Sequence, residues 1–166
     1  MLRAARREDA ASLFEEYTGR NEASHYLQRR AHPSQARTEA VIDACGEGNW
    51  LTGTRFVWSI LRRSDEKPIG LFLMFIDGSS AEIHYGLGPA FWSQGLATEA
   101  GIAVMDWVTR QSSLLEVSTS CAAEHVASLR VLEKIGLRRM QLLPGELLLG
   151  ETGIRVDAWL YSWTRS

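Results

Sequence analysis

The chain is 166 residues long, with 45% hydrophobic residues, 23% charged residues and a formal net charge of −2. These fractions lie near globular averages and exclude a disordered or fibrous protein. The length suits a single domain spanning residues 1–166. The balanced charge also argues against a nucleic-acid partner, because dedicated nucleic-acid binders carry a strong basic excess. Only Lys67 and Lys134 among the 18 basic residues are lysines.

The apolar runs and the cysteines bear on membrane spans, secretion, metal sites and disulfides. The longest nearly apolar run, Ile69–Ile76, is far shorter than the roughly 20 residues that a membrane span needs, so it predicts a buried strand. The basic N-terminus is not followed by the apolar region of a signal peptide. Cys45 and Cys121 are isolated, which favours neither a zinc site nor a disulfide framework. We therefore expect a cytoplasmic protein with reduced thiols, no metal and no membrane partner.

The first part of the chain predicts a strand followed by three helices. Ala11, Phe14 and Leu13 are expected on the buried side of the first helix. Gly46 and Gly48 are typical of a helix stop. The predicted elements are a strand Leu2–Ala5, helices Glu8–Tyr17 and Asn21–Arg30, and a helix capped by Ser34 that runs to about Cys45.

The pattern then becomes that of strands. Residues 55–60 alternate with period two, which is typical of a half-buried strand. The turn at 64–67 leads into the apolar strand Pro68–Ile76, and Asp77-Gly78 is a strong turn signal before Ala81–Leu87. These three strands predict an antiparallel meander.

The remaining residues alternate between helix and strand. Ala97, Ala100, Val104, Trp107 and Val108 form one apolar stripe at helical spacing. The whole order predicts an α/β (α+β) fold, with a mixed sheet and helices on both faces. The predicted elements are helix Ser93–Arg110, strand Leu114–Ser120, helix Glu124–Ile135 and an antiparallel pair, Leu137–Leu149 with Ile154–Trp163.

The segment between Leu87 and the long helix is the first candidate site. The first N–H groups of a helix are unpaired and carry the positive end of its dipole. Gly95 bears no side chain to block a close ligand, and Ala97 keeps the next turn small. The segment is a plausible seat for a pyrophosphate. It lacks a Walker lysine and the dinucleotide-binding glycine pattern, and spacing alone favours a tight strand-to-helix turn over a ligand site.

A second candidate lies on the last predicted helix. His125, Ser128 and Leu132 are spaced so that they share one helix face. A serine within an apolar stripe either bonds back to a carbonyl one turn earlier or points into a cleft. Spacing alone leaves both interpretations of Ser128 open.

Taken together, these segments resemble the GNAT superfamily of N-acetyltransferases, in particular its RimJ/RimL-like, ribosomal-protein-alanine acetyltransferase-like branch. That branch carries a strand reading like Glu-Ile-Gly-Tyr-Trp-Leu, followed by Pro-x-x-Trp-Gly-x-Gly-x-Ala-Thr-Glu-Ala. Later it carries Asn-x-x-Ser-x-Arg-Val-Leu-Glu-Lys-x-Gly-Phe. Here Glu82–Leu87 reads EIHYGL, Pro89–Ala100 reads PAFWSQGLATEA, and His125–Leu137 reads HVASLRVLEKIGL. The opening Leu2-Arg3 and the closing Asp157-x-x-x-Tyr161 also fit, so the resemblance covers nearly the whole chain.

The resemblance implies a single-domain fold of about seven strands, with a splay after the fourth strand. It also implies acetyl-CoA as co-substrate and an amine as acceptor. The backbone at Leu87 would pair with the pantetheine arm and polarise the thioester carbonyl. Ser128 would donate a hydrogen bond to the leaving sulfur, with Tyr161 as a fallback. The pyrophosphate would be held by the backbone amides of Gln94, Gly95, Leu96, Ala97 and Thr98.

An amine attacks only after it has lost its proton, so the reaction needs a base. Glu82 is our first candidate, and His84 lies two residues further along the same strand, on the same side. The alternative is that Glu82 pairs with an arginine of the sheet. We expect direct attack by the amine, because neither cysteine lies in a motif position.

Several positions depart from the family pattern. His125 stands where asparagine is usual, which changes its expected contact to CoA. Ser93 replaces a glycine, and His84 and Gly86 replace a glycine and a tryptophan, so the acceptor side, where we place His84 and Tyr85, is reshaped. The acceptor stays open between a peptide N-terminus and a small-molecule amine. An alternative function is that of a catalytically weak module that binds or senses acyl-CoA. Separately, Trp159 and Trp163 lie on one side of the last strand, which is compatible with the core or with a homodimer contact.

Overall fold

A computed structural model describes residues 1–45, 50 and 53–166. The predicted stop signals Gly46 and Gly48 lie outside the described residues. Within these ranges no helix is both long enough and apolar enough to cross a bilayer. The strands are β1 (Leu2–Ala4), β2 (Arg55–Leu61), β3 (Pro68–Asp77), β4 (Ser80–Leu87), β5 (Glu116–Ala122), β6 (Arg138–Leu148) and β7 (Arg155–Thr164). The helices are α1 (Ala10–Leu13), α2 (Asn21–Ser24), α3 (Gln35–Cys45), α4 (Leu96–Arg110) and α5 (Val126–Lys134).

The strands form one seven-stranded sheet in the order β1-β2-β3-β4-β5-β7-β6. Neighbouring strands are antiparallel except β4 and β5, which are parallel. The β4–β5 pairing runs only from Ser80–Glu116 to Glu82–Ser118, and the strands diverge beyond it. The predicted α/β class, the mostly antiparallel seven-stranded sheet and the splay after the fourth strand are therefore confirmed.

Each face of the sheet buries a separate apolar cluster. On one face α4 and α5 pack on the sheet, and Phe72, Ile83, Val104 and Leu132 are all at most 2% exposed. On the other face α1 and α3 cover β2 and β3 through a cluster that includes Leu13. Burial of apolar surface stabilises the folded state by roughly 25 cal/mol per Å². Because both faces of the sheet are buried in this way, each β4 side chain is held on one particular face.

The first predicted helix is shorter and less regular than its pattern indicates. A 3₁₀ turn precedes α1, and a π-helical turn, Phe14–Thr18, follows it. The Thr18 hydroxyl donates to the Leu13 carbonyl at 3.2 Å, inserting a side-chain bond where the helix widens. The expected buried side was wrong for Ala11, which is exposed, whereas Ala10 and Tyr17 are buried.

The predicted helix Asn21–Arg30 ends at Ser24. Its continuation is instead tied to the β6–β7 turn, because Gly150 N–H donates to the Leu27 carbonyl and the Arg30 side chain donates to the Gly150 carbonyl. These tertiary bonds compete with the helical ladder for the carbonyls after Ser24.

The start of the long helix was also predicted too early. Ser93 and Gly95 have φ values of +61° and +76°, a left-handed conformation that cannot continue into a right-handed helix, so α4 begins at Leu96 rather than Ser93. Similarly, α5 begins at Val126 with His125 as its N-cap residue. The C-terminal antiparallel pair is confirmed as β6 and β7.

Candidate functional site

The splay between β4 and β5 exposes the backbone edge of β4. Gly88 N–H donates to the Ile69 carbonyl at 2.9 Å, which sets the alternation of the β3–β4 ladder. By that alternation the backbone groups of Tyr85 and Leu87 point away from β3, toward the diverging β5. The Leu87 carbonyl accepts a bond from Trp92 Nε1 at 2.8 Å, which leaves the Leu87 N–H for a ligand in the gap.

The N-terminus of α4, at Leu96, follows closely after the end of β4 at Leu87. Glu99 N–H bonds back to the Gly95 carbonyl at 2.9 Å, so the amides before it in the first turn have no helical partner. A Cβ built on Gly95 would contact nothing within 4 Å, so glycine is required here for its positive φ rather than for space. The Gln94 side chain is held on the Ala90 carbonyl at 3.0 Å, away from these amides. The turn therefore presents unpaired N–H donors and a helix dipole to an anion.

A surface cavity of about 640 Å³ lies on the other side of this turn. It is bordered by Gln94 and Glu99 from the α4 start and by Arg62 and Arg63 from the β2–β3 turn. Arg63 pairs with Glu99 at 2.7 Å. The cavity borders the turn before α4, and none of its lining residues belongs to β4 or β5, the strands that form the splay.

The Ser128 side chain faces β4 from the first turns of α5. Its hydroxyl lies 2.8 Å from the Tyr85 hydroxyl, which also donates to the Ser128 carbonyl at 2.9 Å. Burial raises the pKa of Tyr85 above its ordinary value, despite the hydrogen bond with Ser128. Burial also raises the pKa of the neighbouring Cys121 thiol, and Ser128 opposes that rise. Of the two open interpretations, the structure supports the one in which Ser128 points away from its own helix.

Glu82 and His84 lie on the opposite face of β4. Their side chains are 57% and 44% exposed, and His84 Nε2 lies 3.1 Å from Glu82 Oε1. The expected alternative, an arginine partner for Glu82, does not match this contact. Tyr85, which we also expected on the acceptor side, points to the face opposite His84, because adjacent side chains of a strand point to opposite faces. Tyr85 reaches Ser128 instead.

Gly86 lies on the same face as His84, where the structure explains its lack of a side chain. A Cβ at Gly86 would lie 2.1 Å from the Tyr17 hydroxyl oxygen. Tyr17 is only 5% exposed, and the Arg29 guanidinium lies 5.0 Å from its ring centroid. The space next to position 86 is thus filled by a tyrosine from the segment after α1.

His125 holds another part of that N-terminal segment. Its ring is stacked on Tyr26, with centroids 4.5 Å apart and planes at 21°. Burial, with a smaller contribution from His25, lowers the pKa of His125 to about 4, so the imidazole is neutral at pH 7. Because the His125 ring packs against Tyr26, it is less available for a contact to CoA than its N-cap position suggests.

The fallback donor Tyr161 is committed elsewhere. Its buried hydroxyl donates to Glu133 Oε1 at 2.9 Å and accepts from Arg139 Nε at 2.9 Å. Ser128 is therefore the better placed of the two donors. In the described part of the chain, no group of three or more potential metal ligands comes together.

The sequence analysis missed Tyr17, Tyr26 and Cys121 as neighbours of the site. The Tyr17 and Tyr26 contacts join residues distant in the chain, and Cys121 and Ser128 lie on different elements, so local spacing gives no signal for them. Tyr85 was singled out, but its contact with Ser128 was not predicted.

Two solved structures share this fold along the whole chain. One is an acetyltransferase from Salmonella typhimurium that modifies the N-terminal serine of 50S ribosomal subunit protein L7/L12; its TM-score is 0.85 at 18% identity, covering 99% of this chain and 94% of that one. The other is spermidine N-acetyltransferase from Vibrio cholerae in complex with CoA and spermine, with a TM-score of 0.82 at 17% identity and coverages of 99% and 94%. At these identities the likeness establishes the fold.

The sequence relationships establish the family. The chain is 28% identical over 82 residues to the uncharacterized N-acetyltransferase YnaD of Bacillus subtilis strain 168. This match covers 48% of each protein, about half the length of that curated relative. The Acetyltransferase (GNAT) domain family matches residues 1–138. With the splayed strands and the free helix N-terminus in the expected order, the chain belongs to the GNAT acetyltransferase family.

Proposed function

We propose that this protein transfers an acetyl group from acetyl-CoA directly to a primary amine. The observation that carries the proposal is that the diverging end of β4 is followed closely in the chain by the unpaired amides at the start of α4. One end of this segment offers backbone donors for an extended pantetheine arm. The other end offers an anion seat, as a thioester cofactor with a pyrophosphate requires.

The cofactor is held largely by backbone groups. The amides of Gln94, Gly95, Leu96, Ala97 and Thr98 would bind the pyrophosphate. The Leu87 N–H would donate to the thioester carbonyl and stabilise the negative charge that develops on its oxygen during attack. Because these donors are peptide groups, a chain of net charge −2 can still bind an anionic cofactor.

Glu82 would take the proton from the incoming ammonium group, directly or through a water. Its contact to His84 provides a second group that can accept or pass on that proton. Both side chains are open to solvent, which suits a site that must release a proton in every cycle. Gly86 and Tyr17 shape the surface beside them.

The sulfur leaves on the other side of the strand. Ser128 would donate a hydrogen bond to the developing thiolate, a role that stabilises charge without full proton transfer. The nearby Cys121 is an unpromising nucleophile, because burial raises its thiol pKa and disfavours the thiolate. This supports direct attack by the amine over an acyl-enzyme.

The acceptor class is a peptide N-terminus or a small-molecule primary amine. The structural relatives named above act on a ribosomal-protein N-terminus and on spermidine, and they support both possibilities. We place the reaction in the cytoplasm, where acetyl-CoA is available. A homodimer is compatible with the proposal.

The test is thiol release when acetyl-CoA is mixed with a panel of amines, including N-terminal peptides, polyamines and aminoglycosides. We expect release with at least one amine, together with an acetylated product by mass spectrometry. Tight CoA binding without turnover on any amine would instead favour an acyl-CoA-binding module. Absence of acyl-CoA binding in calorimetry would overturn both interpretations.

A further inference from the structure

The two contacts between Tyr85 and Ser128 constrain where their protons lie. A backbone carbonyl only accepts, so at the Ser128 carbonyl, 2.9 Å away, the Tyr85 hydroxyl must be the donor. Having one proton, Tyr85 then acts as acceptor toward the Ser128 hydroxyl, 2.8 Å away. In this arrangement the single proton of the Ser128 hydroxyl lies on the Tyr85 oxygen. It becomes available to another acceptor when Tyr85 turns its own proton from the carbonyl to Ser128 Oγ, since either oxygen of the 2.8 Å contact can be the donor.

We propose that Tyr85 is a positioning residue that holds the Ser128 hydroxyl as a ready donor for the CoA sulfur. This inference rests on the proposed function, which places the sulfur in the splay beside Ser128. It assigns Tyr85 to the leaving-group side of the reaction.

The surroundings of Tyr85 suit a fixed support. Its ring is stacked on the fully buried Phe72, with centroids 5.6 Å apart and planes at 19°. Burial raises the pKa of Tyr85 above its ordinary value, so the phenol stays protonated across the working pH range. Tyr85 therefore always carries a proton that it can place on the Ser128 carbonyl or on Ser128 Oγ, and in the second position it orients the serine and leaves the serine proton for the sulfur.

The experiment is a titration of the thiol of bound CoA, followed by thiolate absorbance, in the wild type and in Tyr85→Phe, Ser128→Ala and the double variant. Phenylalanine keeps the ring on Phe72 and removes the hydroxyl. We expect Tyr85→Phe to raise the bound thiol pKa by about one unit and to lower kcat about tenfold, with the KM for acetyl-CoA within about twofold. We expect the double variant to match Ser128→Ala, because Tyr85 acts only through the serine.

Thr38→Val is the matched control, because the buried Thr38 hydroxyl likewise makes two side-chain hydrogen bonds, to Thr18 and His32. It should lower the melting temperature without moving the thiol pKa. Fluorinated tyrosine at position 85 covers the case in which Tyr85→Phe does not fold. It is a stronger donor and weaker acceptor, so the thiol pKa should move below the wild-type value.

Two results would overturn the proposal: an unchanged thiol pKa in Tyr85→Phe, or effects of Tyr85→Phe and Ser128→Ala that add in the double variant. Because the titration uses CoA alone, the thiol pKa reports the effect of the Tyr85–Ser128 pair even if no amine is acetylated. Failure of the proposed function and failure of this inference are thereby distinguishable.

Discussion

The two faces of β4 differ sharply although they share one backbone. On one face the Tyr85 hydroxyl lies in the interior and bonds Ser128 of α5. On the other, Glu82 and His84 contact each other and are 57% and 44% exposed. Residues one apart in the sequence are thus assigned to separate environments by the period-two geometry of a strand. In the proposed function, the buried face would be the leaving-group side and the solvent-open face would be the acceptor side.

This difference teaches how such a site can be modified. Donors on the buried side face a cofactor that is the same for every acceptor, so changes there should affect all amines equally. The open side meets the acceptor, and its departures from the family pattern, His84 and Gly86, lie there. Substitutions at these two positions should change the preference among amines more than the affinity for CoA.

The largest expected effect is at the base. Glu82→Gln should lower kcat about a hundredfold near neutral pH, with a greater loss at lower pH, where more of the amine is protonated. Glu116→Gln is the matched control, because Glu116 is a carboxylate on the neighbouring strand held by the Ser162 hydroxyl at 3.1 Å. A pH–rate profile for Glu82→Gln that overlays the wild type would remove Glu82 as base.

A smaller effect is expected at the turn before α4, residues 94–98, where we propose that the pyrophosphate binds. Asparagine and aspartate both tolerate the positive φ of Gly95 and have nearly the same size, so they differ mainly in charge. We expect Gly95→Asp to bind CoA at least about tenfold more weakly than Gly95→Asn, by repulsion of the pyrophosphate. Calorimetry at two salt concentrations measures this difference, and equal affinities would place the pyrophosphate elsewhere.

The smallest effect concerns stability where the N-terminal segment meets α5. The folded state lowers the pKa of His125 from 6.5 to about 4, so its stabilising contribution is complete above pH 6.5 and is lost as the pH falls toward 4. His32, with a similarly lowered pKa of about 4, adds to the same loss. His125→Phe keeps the ring against Tyr26 and removes the titration. Urea unfolding between pH 7 and 4 should therefore show a shallower loss of stability than the wild type; an equally steep loss would contradict this assignment.

The sequence predicts those parts of the molecule that local patterns control. The alternation at 55–60, the stripe of α4 and the residue types around Gly95 each reflect a backbone period or a turn requirement, so the β2–β4 meander, the long helix and the turn before it follow from them. The spacing of Glu82 and His84 likewise predicts a shared face.

The remaining features depend on contacts between distant segments. The Tyr85–Ser128 bond joins residues 43 positions apart, and the Tyr26–His125 stack joins α2's continuation to the α5 cap. The Tyr17 ring beside Gly86 depends on where the widened turn after α1 places it. Tertiary packing decides these contacts, and no local period encodes them.

The central claim is that β4 assigns amine activation to one face and sulfur stabilisation to the other. The most direct test compares the thiol pKa of bound CoA in Glu82→Gln and Ser128→Ala. The account predicts that Ser128→Ala raises this pKa by about one unit while Glu82→Gln leaves it at the wild-type value. An equal rise in Glu82→Gln, or no rise in Ser128→Ala, would contradict the division between the two faces.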